Sequence, residues 1–204
     1  MAERKPKRRR RSPEEARAEI LAVAARQLAA GGPAAIRLQA IADELGVTHP
    51  AILRHFHSRD ELMEALLRHA GREMRAALAA AVDRAAAGTA LDAEAFFAAL
   101  DRIYREEGYA RLSAWLLLHG FQNRGSGMYR EAAESLHRAR SAGARPRRPP
   151  LDDTLFAVVL LNLVAWSEAL VGGAFRRAVD LPADADTARR FRAWVVELVA
   201  RHLA

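Results

Sequence analysis

The sequence predicts an all-α protein, with a small N-terminal three-helix domain followed by a larger helical bundle. Apolar residues recur at helical spacing along most of the chain, and no strand-like alternation interrupts them. Glycine and proline fall between these segments, where helices end. Hydrophobic residues make up 51% of the 204 residues, enough for a substantial core. We expect a basic arm over residues 1–12 and domains over residues 13–58 and 59–204.

The positive charge of the chain is concentrated at its start. Residues 1–11 hold seven basic side chains and one acidic side chain, so they supply six of the seven net positive charges. Such a run is typical of a disordered segment that attracts polyanions. Nucleic acid is the expected partner, because neutralised phosphates release counterions. The alternative interpretation is a solubilising tail.

The absence of cysteine excludes disulfides, thiolate metal sites and cysteine nucleophiles, and it suits a reducing compartment. The basic N-terminus lacks the apolar segment of a signal peptide. The most apolar region, residues 155–170, is interrupted by Asn162, Ser167 and Glu168, and no run of 18 apolar residues occurs. We therefore expect a cytoplasmic protein without a membrane-spanning helix.

The first helix is expected to begin after Ser12. Ser12 and Glu15 have the spacing of a capping box, and Pro13 suits the first turn of a helix. The inward stripe comprises Ile20, Val23, Ala24 and Leu28. The glycine-glycine-proline run at residues 31–33 ends this helix.

A helix-turn-helix is predicted next. A helix over residues 38–45 ends at Gly46, since glycine adopts the left-handed conformation at little cost. A short helix over residues 48–56 follows, capped by its threonine, with Ile52 and Phe56 one turn apart on the inward side.

The outward side of this short helix has groups suited to reading DNA. It carries His49, Pro50, Leu53 and Arg54. Pro50 lies in the first turn, where its missing N–H would have had no partner in any case. It offers a compact apolar surface to a thymine methyl, and Arg54 is the residue type that most often reads guanine.

Helices are expected throughout the rest of the chain. Ser58 and Glu61 again have capping-box spacing at the start of a long helix over residues 59–87. Further helices are predicted for residues 93–107, 109–121, 129–142, 152–177 and 184–202.

Residues 14–68 resemble the N-terminal domain of the TetR family of transcriptional regulators. The resemblance is carried by AEILAVAARQLAAGG and LQAIADELGVTHPAILRHFHSRDEL, in which several helices and turns agree in spacing. It covers about a quarter of the chain. It implies an all-α homodimer that binds a double-stranded DNA operator.

The resemblance also implies DNA contacts at individual positions. These are Arg37, Thr48, His49, Pro50, Leu53, Arg54, His55 and Arg59. Arg59 stands where the family usually has lysine, and Arg37 stands where many members have threonine or serine. Leu53 replaces the usual tyrosine, so a hydroxyl that the family directs at phosphate is lost.

The larger domain is expected to bind a ligand and to dimerise. Aromatic residues gather on its central helices, and the candidate ligand contacts are Tyr104, Trp115, His119, Asn162 and Trp166. The family forms its dimer with the last two helices. Here residues 153–175 are apolar almost all round, and the glycines at residues 172 and 173 are expected to permit close helix approach. Ordinary core packing is the alternative for both features.

The last helix is expected to add one apolar face to that interface. The residues concerned are Phe191, Trp194, Val195, Leu198 and Val199.

The sequence thus favours a ligand-responsive dimeric regulator that binds a palindromic operator and is released by a small, largely apolar effector. The resemblance implies the family's common role of repressor. An enzyme is not expected, because no phosphate-binding glycine loop, HExxH motif or nucleophile elbow occurs. No cofactor or metal is expected, since His55 and His57 lack a fixed ligand geometry. The alternative is a basic helical adaptor that binds nucleic acid non-specifically without an effector.

Overall fold

The computed structural model describes residues 12–86, 93–121, 127, 129–141 and 150–203. Apart from Ser12, the predicted basic arm lies outside the described residues. The helices are α1 (Pro13–Gly31), α2 (Leu38–Leu45), α3 (His49–His55), α4 (Arg59–Ala86), α5 (Ala93–Asp101), α6 (Tyr109–Leu118), α7 (Arg130–Ser141), α8 (Leu151–Ala178) and α9 (Ala185–Leu203). The regular structure of the described residues is entirely helical, which confirms the predicted fold class.

The chain divides into two compact units, one ending at Leu66 and the other beginning at Leu67. This division falls inside α4, two turns after the predicted domain boundary between residues 58 and 59. The reason is that the first turns of α4 supply apolar side chains to the core of the N-terminal unit. Leu62, Met63 and Leu66 are fully buried.

The N-terminal unit packs α1 against α2 and α3. The predicted inward stripe of α1 is buried, together with the inward side chains of the next two helices. The predicted capping box at the start of α1 is present. The Glu15 N–H donates to the Ser12 hydroxyl at 3.1 Å, and the Ser12 N–H donates to the Glu15 carboxylate at 2.8 Å.

The second predicted capping box, at the start of α4, is only half formed. The Ser58 hydroxyl accepts a hydrogen bond from the Glu61 N–H at 3.0 Å, as expected. The Glu61 carboxylate turns instead to His57, accepting from its N–H at 3.0 Å and lying 2.8 Å from its Nδ1. These hydrogen bonds with His57 lower the pKa of Glu61.

The C-terminal unit is organised around α8, which packs against α5, α6, α7 and α9. The helix predicted for residues 93–107 is not uniform. Its α-helical part ends at Asp101, and a π-helix follows over Arg102–Glu106. The Glu107 N–H closes this wider turn on the Arg102 carbonyl at 3.0 Å. Spacing of apolar residues does not distinguish such a local widening from a continuous α-helix.

A buried ion pair explains one of the glycines of α8. The Glu168 carboxylate accepts a hydrogen bond from Arg176, and both side chains are less than a tenth exposed. A Cβ at Gly172 would overlap that carboxylate, whereas a Cβ at Gly173 would meet Ala183 at an ordinary 3.6 Å. Gly172 therefore makes room for a side chain of its own helix, and its expected part in close helix approach stays a prediction.

The expectation that no helix spans a membrane stays a prediction, although one helix has the length and composition to do so. Among the described residues, α8 has the length and composition of a membrane span, and 33% of its most apolar window is buried. One such helix is weak evidence, since core helices of soluble proteins have the same composition. The buried ion pair between Glu168 and Arg176 lies on this helix, which favours packing within protein.

The apolar residues of α9 form one broad stripe by their spacing, but they differ in exposure. Val195 and Val199 are buried within the unit, whereas Phe191, Trp194 and Leu198 are exposed. The first two are four residues apart and face α8 or α5, with which α9 packs. The helix therefore buries one edge of this stripe inside the protomer and exposes the other edge.

Candidate nucleic-acid interface

The turn between α2 and α3 depends on Gly46. Its φ of 62° and ψ of 38° are left-handed, a conformation that glycine adopts without the steric cost of a Cβ. The Val47 N–H then donates to the Ala42 carbonyl at 3.0 Å, which closes the end of α2. This turn sends the chain directly into α3 and sets the angle of the second helix.

The two sides of α3 differ sharply in exposure. Ile52 and Phe56 are completely buried, as predicted. The other side exposes Thr48, Pro50 and Arg54, and Leu53 is half-buried. This arrangement leaves an exposed face with a hydroxyl, an apolar ring and a guanidinium.

Thr48 occupies the N-cap position of α3 but does not cap it with its side chain. Its backbone is extended, and its carbonyl accepts from the Ala51 N–H at 2.9 Å. Its hydroxyl makes no capping hydrogen bond. The prediction of a side-chain cap was wrong. Pro50 has no N–H to donate to the hydroxyl, and the Ala51 N–H donates to the Thr48 carbonyl instead.

The two histidines of α3 are less accessible than predicted. His49 is half-buried, and its Nε2 has no hydrogen-bond partner among the described residues. His55 is half-buried and lines an apolar cavity of about 40 Å³ between α1 and α3, beside Ala16 and Ile20. A cavity of this size has room for water but not for a small-molecule ligand.

Arg37 and Arg59 have different surroundings. Arg37 is exposed at the N-cap of α2, and its backbone N–H donates to Gln27 Oε1 at 3.1 Å. Arg59 is half-buried, and its Nε donates to the Ile36 carbonyl at 2.9 Å while its other nitrogen donates to the Pro33 carbonyl. Arg37 is therefore open to an external phosphate, whereas the guanidinium of Arg59 is already bound to backbone.

Sequence reasoning missed Arg17, which joins three elements of the unit. It donates a hydrogen bond to the His55 carbonyl and lies 3.8 Å from the Glu61 carboxylate. Its guanidinium also covers the ring of Phe56. A signal was present, because Arg17 lies three residues before Ile20 and so on the inward stripe of α1.

The ligand candidates on α6 form a stacked pair. The rings of Trp115 and His119 lie 3.8 Å apart and nearly parallel, and His119 Nδ1 is 2.8 Å from the Trp115 carbonyl oxygen. Trp115 is half-buried, whereas His119 is exposed at the end of the helix.

The remaining ligand candidates are half-buried and have separate partners. Trp166 Nε1 donates to the Ser113 hydroxyl at 2.7 Å. Asn162 Nδ2 donates to the Val158 carbonyl at 2.9 Å, and its Oδ1 is buried without a partner among the described residues. Tyr104 lies in the π-helix, where burial raises its pKa to about 12.

No group of three or more histidine, aspartate or glutamate side chains that could hold a metal ion occurs in the part of the chain that the structure describes.

Comparison with known proteins finds a family match within the N-terminal unit. The family described as bacterial regulatory proteins, tetR family, matches residues 20–66. This match contains the end of α1, the helix-turn-helix and the start of α4.

Curated relatives extend the match beyond this unit. The HTH-type transcriptional regulators Rv1816 of Mycobacterium tuberculosis and Mb1846 of Mycobacterium bovis are each 36% identical to this chain over 113 residues. The aligned region is 55% of this chain and 47% of each relative, so the chain spans about half the length of the curated relatives it matches.

A solved structure resembles the fold of nearly the whole chain. The multidrug binding protein EbrR, solved in complex with imidazole, superposes with a TM-score of 0.52 at 22% identity. The superposition covers 89% of this chain and 94% of that one. At this identity the likeness is one of fold.

Proposed function

We propose that this chain is a member of the TetR family of bacterial regulatory proteins and a dimeric, ligand-responsive transcriptional regulator. It acts in the cytoplasm as a repressor, binding a palindromic operator in double-stranded DNA. A small, largely apolar effector releases it. The observation that carries this proposal is the difference between the two sides of α3, a helix anchored by buried Ile52 and Phe56 that exposes Pro50 and Arg54.

The exposed side of α3 has the chemistry for reading bases in the major groove. Arg54 can donate two hydrogen bonds to guanine, and Pro50 and Leu53 offer apolar contact to a thymine methyl. Thr48 contributes a hydroxyl, and Arg37 contributes a cation for a phosphate. His49 and His55 are each half-buried, so only part of each side chain is available to DNA.

Reading a palindrome requires two recognition helices about one DNA turn apart, and so a dimer. Large apolar side chains exposed on α8 and α9 support a dimer interface formed by the last two helices. They are Phe156, Val159, Leu160, Leu163, Val171, Phe175, Phe191, Trp194 and Leu198. Exposed large apolar side chains along two neighbouring helices are typical of an interface between subunits.

The C-terminal unit offers groups suited to an effector. Trp115, Trp166 and Tyr104 supply aromatic surface, His119 extends the stack on Trp115, and the buried Oδ1 of Asn162 supplies a hydrogen-bond acceptor. A mostly apolar site with few polar groups selects a largely apolar ligand. Such an effector releases DNA only if it binds the non-binding state more tightly than the DNA-binding state.

Selection of bound sequences from a random DNA pool, at near-physiological salt, tests the regulator. The wild type should enrich a palindrome, and Arg54→Ala should lose the preference at one base position in each half-site. Arg138→Ala, which removes an exposed arginine of α7, should enrich the same palindrome as the wild type.

Enrichment of no sequence, with binding that weakens equally on all duplexes as salt rises, would contradict specific readout. That result would favour the alternative, a basic nucleic-acid-binding adaptor without an effector.

A further inference from the structure

One peptide group of the N-terminal unit is held at both of its polar atoms by side chains from two other helices. The carbonyl of Ile36 accepts from Arg59 Nε of α4 at 2.9 Å. The N–H of Arg37, which belongs to the same peptide, donates to Gln27 Oε1 of α1 at 3.1 Å. Arg59 also donates to the Pro33 carbonyl in the preceding turn.

This double attachment fixes the start of α2. The Ile41 N–H donates to the Arg37 carbonyl at 3.1 Å, so Arg37 begins the helical hydrogen bonding. Ile36, immediately before it, is 1% exposed and anchors the turn in the core. With the 36–37 peptide fixed, the Cα–Cβ bond of the exposed Arg37 points in a single direction.

The chemistry of this attachment needs arginine rather than lysine. A guanidinium presents several N–H groups in a rigid planar fork, so one side chain can serve two carbonyls at once. A lysine ammonium keeps the charge but is a single point on a flexible stem. Charge-assisted hydrogen bonds of this kind are stronger than neutral ones, and Arg59 is half-buried, which limits competition from water.

We propose that Arg59 is a positioning residue, which together with Gln27 fixes the 36–37 peptide so that Arg37 meets a DNA phosphate. We expect Arg59 to act through Arg37 rather than on the phosphate itself, because its Nε and one terminal nitrogen already donate to the Ile36 and Pro33 carbonyls. This inference rests on the proposed function, since it concerns how the chain holds DNA.

The test is a double-mutant cycle on DNA affinity, using a fluorescein-labelled duplex that carries the sequence selected by the wild type. Arg59→Lys should weaken binding by about five- to tenfold despite keeping its charge. Arg37→Ala should weaken it by a similar factor. The double variant should bind no more weakly than the worse single variant, because both changes remove the same contact.

The salt dependence supplies a second readout. Arg59→Lys and Arg37→Ala should each reduce the slope of log affinity against log salt by about one per protomer. If Arg59 contacts a phosphate directly, Arg59→Lys keeps the wild-type salt slope. The fold losses of affinity caused by Arg59→Lys and Arg37→Ala then multiply in the double variant. Either of these results overturns the inference.

Arg54→Ala separates positioning from general loosening of the unit. Its effect should multiply with that of Arg59→Lys, because Arg54 lies on α3 and reads a different part of the DNA. If Arg59→Lys is coupled to Arg54→Ala in DNA affinity as strongly as it is to Arg37→Ala, the inference is overturned in favour of a merely structural role.

Gln27→Ala removes the side chain that accepts from the Arg37 N–H, and it leaves Arg59 intact. If Arg59→Lys does not fold, Gln27→Ala takes its place in the double-mutant cycle. It should couple to Arg37→Ala in the same way, and multiplicative effects would overturn the inference. Failure of the wild type to bind the selected duplex would overturn the proposed function itself. If the wild type binds the duplex and Arg54→Ala weakens that binding, but Arg59→Lys and Arg37→Ala have independent effects, only this inference is overturned.

Discussion

The guanidinium of Arg17 lies over the ring of Phe56, with its central carbon 4.0 Å from the ring centroid. Arg17 is on α1, and Phe56 directly follows α3 as its C-cap, so this contact joins the first helix to the end of the predicted recognition helix. The same guanidinium donates to the His55 carbonyl, which has no helical partner at that end of α3.

Arg17→Ala should therefore loosen α3. The variant loses a cation–π contact and a hydrogen bond, and we expect the opening free energy of α3 to fall by about 1–2 kcal/mol. Amide hydrogen exchange of peptides from α3 measures this change. Arg26→Ala is the matched control, since Arg26 lies on the same helix and pairs with Glu44 at the surface. It should cost less than about 0.5 kcal/mol, and equal losses in the two variants would contradict the role of Arg17.

Gly172→Ala should destabilise the C-terminal unit. The added methyl group would overlap the Glu168 carboxylate, which cannot move away easily because Arg176 and Arg105 hold it. We expect a loss of about 2 kcal/mol in urea unfolding followed by tryptophan fluorescence. Gly173→Ala should be neutral or stabilise by up to about 1 kcal/mol, since its methyl group fits and alanine favours helix. A harmless Gly172→Ala would show that Glu168 has room to shift.

Phe175→Glu should produce monomers. Phe175 is 70% exposed on α8, and a charge there would have to be buried in the proposed dimer interface. Sedimentation velocity should show the dimer lost and operator affinity lowered with it. Leu118→Glu changes a residue that is 86% exposed on α6 and should leave the dimer intact. Unchanged sedimentation of Phe175→Glu would place the interface elsewhere.

The tyrosines should resist ionisation in the folded chain. The chain has three. Burial raises the pKa of Tyr104 to about 12, and it raises the pKa of Tyr109 and Tyr129 as well. Tyrosinate absorbance near 295 nm should therefore be almost absent at pH 10.5 in the native chain, whereas the urea-unfolded chain should titrate near pH 10.

The same shift predicts how stability depends on alkaline pH. Above about pH 10 the unfolded chain releases protons that the folded chain retains, so the free energy of unfolding should fall as pH rises. Native absorbance equal to one ionised tyrosine at pH 10.5 would show that one of the three is accessible.

Deletion of residues 1–11 should weaken DNA binding and flatten its salt dependence. These residues carry most of the net positive charge, and cations that reach phosphates or a minor groove release counterions. Affinity for the selected duplex, measured at several salt concentrations, gives both quantities. A salt slope equal to that of the full chain would favour the interpretation of the arm as a solubilising tail.

The sequence by itself was sufficient to predict helix ends and helix faces, because these depend on residues close together in the sequence. Helix ends are marked by capping residues, glycine and proline, so α1, α2 and α8 begin and end within two residues of their predicted bounds. Burial of Ile52 and Phe56, and exposure of Pro50 and Arg54, follow from helical periodicity alone, since residues four apart share a face.

The tertiary structure decided which partner each polar group takes. Arg59 reaches carbonyls 23 and 26 residues away, and Arg17 reaches one 38 residues away. Periodicity predicts the face of a helix on which a side chain lies, but not which backbone group of another helix comes within hydrogen-bonding distance. For that reason the sequence predicted the helix-turn-helix and its exposed face, whereas the attachments that hold α3 and Arg37 in place emerged only once the helices were packed together.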